Sequence, residues 1–187
     1  MTPLAIDLCC GLGGWAIGLL ELGYQVIGVD NVPQPKYPGT FILADVLTWR
    51  PPADRPVQLI VASPPCIAFS HAKRNPTQEE IAAGLELVQA CFDLASDARA
   101  PLVLENVHGL QRYIGTAANH YGKFYLWGDG VPALLPQGPR WKDRYKMHHR
   151  SAALRAMIPV PLSLAVGRYH LAMVDHREKG EGPEVNP

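Results

Sequence analysis

The chain has 187 residues, 48% of them hydrophobic, which suits one compact domain with a core of its own. Its 17 basic and 17 acidic side chains cancel, so no strongly basic character announces nucleic acid. No run of about 18 apolar residues occurs to span a membrane, and the start MTPLAIDLCC lacks the basic opening of a signal peptide.

Taken in order, apolar runs of strand length occupy residues 4–8, 25–29, 59–62, 101–104 and 124–127. Residues 14–22 read as a helix, with Trp15, Leu19 and Leu22 on one stripe. A longer helix is expected over residues 78–99. Thr77 stands three residues before Glu80, the capping-box spacing, and Ile81, Leu85, Val88 and Phe92 keep a helical period. Strands alternating with helices predict parallel strands joined by right-handed crossovers, an α/β sheet with helices on both faces. Residues 1–174 then form a single domain, and the Glu-, Gly- and Pro-rich tail over 175–187 is expected to be flexible. Ligands of such sheets sit beyond the carboxyl ends of the strands, which directs attention to the residues after each one.

The first strand runs into Cys9-Cys10-Gly11-Leu12-Gly13-Gly14, where glycines let the backbone turn tightly and approach a ligand. A plain strand-to-helix turn uses the same residues. The second strand ends at Asp30, followed by Asn31, a place where an acidic residue commonly receives ribose hydroxyls. Asp45 is a third polar residue in the right part of the chain, and the order of all three strengthens a nucleoside reading. No Gly-Lys-Ser/Thr follows the glycines, which excludes a P-loop, and the third glycine of the dinucleotide fingerprint is absent. A nucleoside without phosphates fits better than a dinucleotide.

After residues 59–62 comes Ser63-Pro64-Pro65-Cys66-Ile67-Ala68-Phe69-Ser70. Two prolines stiffen the approach to Cys66, and a thiol on a rigid platform at a strand's carboxyl edge suits a positioned nucleophile. An ordinary buried cysteine is the common alternative, and it describes Cys9, Cys10 and Cys91. The four cysteines lack the spacing of a zinc site or a disulfide framework, so no metal is expected and the thiols imply a reducing cytoplasm. The next strand ends in Glu105-Asn106-Val107. Burial there raises the pKa of Glu105 and suits a proton donor near neutrality, while a solvated or salt-bridged Glu is the alternative.

The series Asp7-Leu8-Cys9-Cys10-Gly11-Leu12-Gly13-Gly14, Asp30, Asp45, Pro64-Pro65-Cys66-x-x-Phe69-Ser70 and Glu105-Asn106-Val107 resembles the cytosine-5 methyltransferase family over about residues 4–128. Residues 158–162, Ile-Pro-Val-Pro-Leu, are similar to the family's last motif, whose helix returns beside the first one. The resemblance implies a Rossmann-like class I methyltransferase sheet with S-adenosyl-L-methionine as cofactor. It makes Cys66 the nucleophile at cytosine C6 and Glu105 the group at N3. It places Asp7, Leu8, Gly11, Gly13, Gly14, Asp30, Asn31, Asp45 and Pro64 around the cofactor, Asp30 at the ribose and Asp45 near the adenine amine. Ser63, Pro65, Ser70, Asn106 and Lys123 would face the substrate, with Asn106 holding the Pro64-Pro65 backbone. The target base must be flipped out or already unpaired.

Several positions depart from the family. Cys9 replaces a Phe against the adenine, Ile67 replaces the Gln after the nucleophile, and Ala156 stands in place of Asn. Where a Gln-x-Arg-x-Arg pattern is expected, Asn119-His120-Tyr121-Gly122-Lys123 leaves Lys123 alone as a cation near the base. Residues 129–154 are too short for a separate target-recognition domain. They overlap a basic cluster, Arg140, Lys142, Arg144, Lys146, Arg150 and Arg155 against Asp143 alone, with Trp141 and Tyr145 interleaved. A backbone-binding patch with little sequence information is the favoured reading, a solvated surface loop the other. DNA is the expected partner, RNA the close rival, and a pseudoenzyme that kept the fold is a third reading that the pairing of Cys66 with Glu105 opposes.

Overall fold

The computed structural model describes residues 2–70, 75–138, 151, 154 and 156–178, with side chains as far as Val174. Strands β1 (Leu4–Leu8), β2 (Gln25–Asp30), β3 (Thr40–Leu43), β4 (Leu59–Ala62), β5 (Leu102–Asn106), β6 (Asn119–Tyr121) and β7 (Phe124–Trp127) form one sheet in the order 3-2-1-4-5-7-6. Helices α1 (Gly14–Glu21), α2 (Gln78–Ala98), α3 (Gln111–Ile114) and α4 (Val160–Glu178) accompany it. Strand order and the reversal of β7 are those of the Rossmann-like class I methyltransferase fold.

The first five strands are parallel, as their alternation with helices and loops predicts. The expectation of parallel strands fails at β7, which is antiparallel to both β5 and β6. The reason is the turn. Only Gly122 and Lys123 separate β6 from β7, and a link that short joins antiparallel strands alone. Gly122 has φ +62°, a left-handed conformation such hairpin turns require.

Apolar side chains alternate along the strands and build two layers. One face packs Ile6, Ile60, Leu102 and Leu104 against Val88, Cys91 and Leu94 of α2. Thr77 caps that helix, its hydroxyl accepting from the Glu80 amide while its own amide donates to the Glu80 carboxylate. The other face packs Ala5, Val61, Val103 and Leu126 against Trp15 and Leu19 of α1 and Leu162 and Val166 of α4. Helix α4 lies on α1, where the Ser163 hydroxyl donates to the Trp15 carbonyl and the Tyr24 hydroxyl donates to the Gly167 carbonyl at 3.1 Å. It extends to Glu178, so the chain is still helical where the tail is expected to begin.

No helix covers the crossover from β2 to β3. Residues 31–39 instead send Tyr37 back onto the sheet, where its ring lies against Gly28 and its hydroxyl donates to Asp7 Oδ2 at 3.1 Å. Among the described residues no helix is long and apolar enough to cross a membrane.

Gly14 marks the tightest approach of α4's entry to α1, because a Cβ there would stand 2.5 Å from the Ile158 amide nitrogen. Backbone cannot move aside as a side chain can. Gly14→Ala is therefore expected to lower stability by about 1–3 kcal/mol, overpacking outweighing the better helix propensity of alanine. Denaturant titration with an unchanged m-value would show it.

Candidate active site

The loop after β4 carries the site. Ala62 pairs with Leu8 of β1 on one side and Leu104 of β5 on the other, so whatever follows it lies in the middle of the sheet's carboxyl edge. Pro64 and Pro65 have no N–H with which to extend either ladder. Asn106 replaces the missing anchor: its Nδ2 donates to the Pro64 carbonyl at 2.9 Å, and its Oδ1 accepts from the Val107 amide at 2.9 Å. Cys66 follows at φ −91° and ψ 0°, the sparsely populated bridge region where many active-site residues sit. A 3₁₀ turn over Ile67–Phe69 then buries Ala68 and Phe69, while Ile67 is 65% exposed beside the thiol.

Glu105 reaches the same place from β5. It keeps some accessible surface, yet protein surrounds its carboxyl closely enough for burial to push its pKa up to about 7. A hydrogen bond from Ser63 and the charge of Lys123 oppose that rise. Burial also raises the Cys66 thiol, with the Glu105 charge as the second cause, and Lys123 again works the other way. Lys123 has its Nζ 4.9 Å from the centre of the Phe124 ring.

Beside this pair a cavity of about 140 Å³ is lined by Cys9, Asp30, Asn31, Asp45, Val46, Ser63, Pro65 and Leu87. Asp30 Oδ2 accepts from the Gly11 amide at 2.9 Å, which closes the loop after β1 onto the end of β2. Asp45 Oδ1 accepts from the Leu47 amide at 3.0 Å. Gly11, at φ +48°, faces open space, for a Cβ there would meet nothing within 4 Å. A larger depression of about 550 Å³ lies at the amino ends of β4 and β5, lined by Arg50–Val57, Asp97 and Ala98, on the far edge from Cys66.

The structure thus gathers Asp30, Asn31, Asp45, Ser63 and Pro65 at one cavity and Cys66, Glu105 and Lys123 beside it. Other expected cofactor residues are elsewhere. Leu8 is wholly in the core, and Asp7 is fully buried beneath Tyr37, its pKa raised well above the carboxylate range by burial. Gly13 serves the approach of Tyr37 and Pro38, and Gly14 that of Ile158. Pro64 is buried support, bonded to Asn106 through its carbonyl. Cys9 is not simple core filling: it lines the cavity at φ +53°, with its thiol held against Cys91. Ser70 ends the 3₁₀ turn. Arg140, Lys142 and Arg144, with Lys146, Arg150 and Arg155 of the same basic cluster, lie outside the described residues. Sequence reasoning missed Val46 and Leu87 on the cavity, the second because it belongs to a helix and not to a strand end.

No protein-family model matches the chain, and no curated protein matches it. Among solved structures it is similar to a mutant DNMT2 of Spodoptera frugiperda, with 19% identity and a TM-score of 0.39 over 59% of this chain and 37% of that one. It is also similar to a TehB-like SAM-dependent methyltransferase of Corynebacterium glutamicum, with 20% identity and a TM-score of 0.38 over 57% of this chain and 56% of that one. The Dnmt2 methyltransferase of S. pombe matches at 15% identity and a TM-score of 0.37, over 58% of this chain and 35% of that one. The chain therefore spans well under two thirds of the length of these structures.

Removing the Asn106 amide leaves the buried carbonyl of Pro64 without its donor. Asn106→Ala is expected to cost about 1–3 kcal/mol of stability, the penalty of one buried unsatisfied polar group. A melting temperature equal to that of the unaltered protein would show that the loop holds itself.

Proposed function

We propose that the chain is an S-adenosylmethionine-dependent cytosine-5 methyltransferase acting on DNA, with Cys66 as its nucleophile. The observation that carries this reading is the meeting of Cys66, on its proline platform, with Glu105 at the carboxyl edge of adjacent strands, close enough for one charge to shift the other group. The neighbouring cavity suits the cofactor chemically. Among the described residues its lining holds two carboxylates and no Lys or Arg, which disfavours phosphates and favours ribose hydroxyls, an adenine amine and a sulfonium cation. Asp30 takes the ribose, Asp45 the amine, and Gly11 leaves the space a side chain would fill. When bound, S-adenosylmethionine supplies an electrophilic methyl group.

The residues of the chain then make cytosine able to accept it. The Cys66 thiolate adds to C6 while Glu105 hydrogen-bonds or protonates N3, and the electron density so displaced makes C5 a nucleophile. Loss of the C5 proton from the methylated ring lets Cys66 leave as a thiolate. Arg140, Lys142 and Arg144 contribute contacts to phosphates, which position the strand without reading its sequence.

Below pH about 7 both Cys66 and Glu105 hold their protons. Above it the pair shares one, and the arrangement that reacts is a thiolate beside a neutral Glu105. The rate is therefore expected to rise through an acid limb near pH 7. Glu105→Gln should fold normally, lose that limb and lose about 10²-fold or more in turnover, since an amide supplies a hydrogen bond and no proton. An unchanged pH profile would remove Glu105 from the reaction.

Cys66→Ser is expected to abolish transfer while cofactor binding, followed by calorimetry, survives. DNA carrying 5-fluorocytosine should trap a covalent adduct on wild type and none on the variant, because fluorine cannot leave as a proton. RNA of the same sequence is the control for substrate: trapping on RNA alone would transfer the activity to that nucleic acid. An active wild type that never traps, with Cys66→Ser still active, would refute the nucleophile.

A further inference from the structure

We infer that Ser63, with its donor role imposed by Trp15, is a positioning residue for Glu105: its hydroxyl holds one carboxyl oxygen and leaves the proton of the neutral acid on the other. The inference rests on the proposed role of Glu105 and deepens it.

The indole N–H of Trp15 donates and never accepts. Its Nε1 donates to Ser63 Oγ at 3.0 Å. The ring has little freedom to do otherwise, being 1% exposed between the sheet and α4, with its own carbonyl held by Ser163. Ser63 has a single hydroxyl proton, and with its oxygen already accepting from Trp15 that proton must be directed to another acceptor.

The sheet register supplies one. Ala62 of β4 pairs with Leu104 of β5 in parallel, so Ser63 and Glu105 occupy the next matching positions. Side chains alternate along a strand, and Val61 and Val103, two residues earlier, both face α1. Ser63 and Glu105 therefore point to the same face, the one on which Trp15 lies. The hydrogen bond from Ser63 works against burial by favouring the charged carboxylate. Among the described residues, the other titratable or charged groups that face this pair are Cys66, after β4, and Lys123, before β7.

Two consequences follow from a donor fixed in this way. A carboxylic acid that accepts at its carbonyl oxygen carries its proton on the other oxygen, so Ser63 selects which oxygen can serve N3. Ser63 also keeps the acid less basic than burial alone would make it. A free carboxyl would instead rotate and hold its proton to higher pH.

The test is a carbon-13 titration of the Glu105 carboxyl in the full chain, assigned by its disappearance in Glu105→Gln, alongside the pH profile of methyl transfer to DNA. Ser63→Ala is expected to raise the Glu105 midpoint by about one pH unit, the worth of one hydrogen bond to a charged group. Ser63→Thr, which keeps the hydroxyl, should restore it, and Trp15→Phe should move it part of the way. The acid limb of the rate should follow in each variant. If Ser63→Ala does not fold, Ser63→Gly, which also lacks the hydroxyl, carries the same expectation. A midpoint unmoved by loss of the hydroxyl overturns the inference, as does a shift that threonine fails to reverse. A midpoint that moves while the rate limb stays in place leaves the hydrogen bond standing and overturns Glu105 as the proton donor.

Discussion

The hydrogen bond from Asn106 to the Pro64 carbonyl is the constraint on which the rest of the site depends. Two successive prolines deprive the loop after β4 of the amide donors that would tie it to its neighbours. Without another anchor the chain would leave the sheet along any of several paths. The side chain at the end of β5 selects one of them, and because its oxygen is also bonded to Val107 the amide cannot rotate away. Cys66 is thereby held at the start of the 3₁₀ turn, at φ −91° and ψ 0°. The same bond draws together the ends of β4 and β5, which is why the thiol and the Glu105 carboxyl share one electrostatic environment.

That environment is divided. On the side of β1 and β2 the cavity presents Asp30 and Asp45, with no cation in its lining among the described residues. On the side of β7, Lys123 offsets the burial of Cys66 and Glu105. Ser63 and Pro65 line the cavity and belong to the same loop as Cys66, so they form the boundary between the two regions. A fourth carboxyl group, Asp7, is kept out of both by Tyr37, whose ring lies over Gly28 and whose hydroxyl donates to Asp7.

Much of this was legible in the residues. The capping box at Thr77 and Glu80, the helical period through Val88, and the apolar runs of β1, β4 and β7 are local signals, and the structure has them where the pattern places them. β3 escaped because its apolar run, Phe41-Ile42-Leu43, is only three residues long and half exposed, and β6 because it is three residues long and begins Asn-His. The reversal of β7 was equally hidden, since no periodicity reports strand direction. Of the residues on the cavity, Asp30, Asn31, Asp45, Ser63 and Pro65 stand out after strands, while Cys9 and Val46 read as core and Leu87 enters from the side of a helix.

By itself the amino-acid sequence determined β1, β2, β4, β5 and β7, where α1 and α2 begin, and which rare residues interrupt apolar runs: Asp30, Cys66, Glu105 and Asn106. Those are properties of a residue and its near neighbours. Only the tertiary structure decided what Asp7, Gly13, Gly14 and Trp15 are for. Asp7 and Gly13 meet Tyr37, Gly14 meets the entry to α4, and Trp15 donates to Ser63. Each of these contacts joins residues more than twenty positions apart. Spacing along a chain cannot report them, because which distant side chain arrives at a given point depends on how the sheet is ordered and which face each strand turns toward its helices.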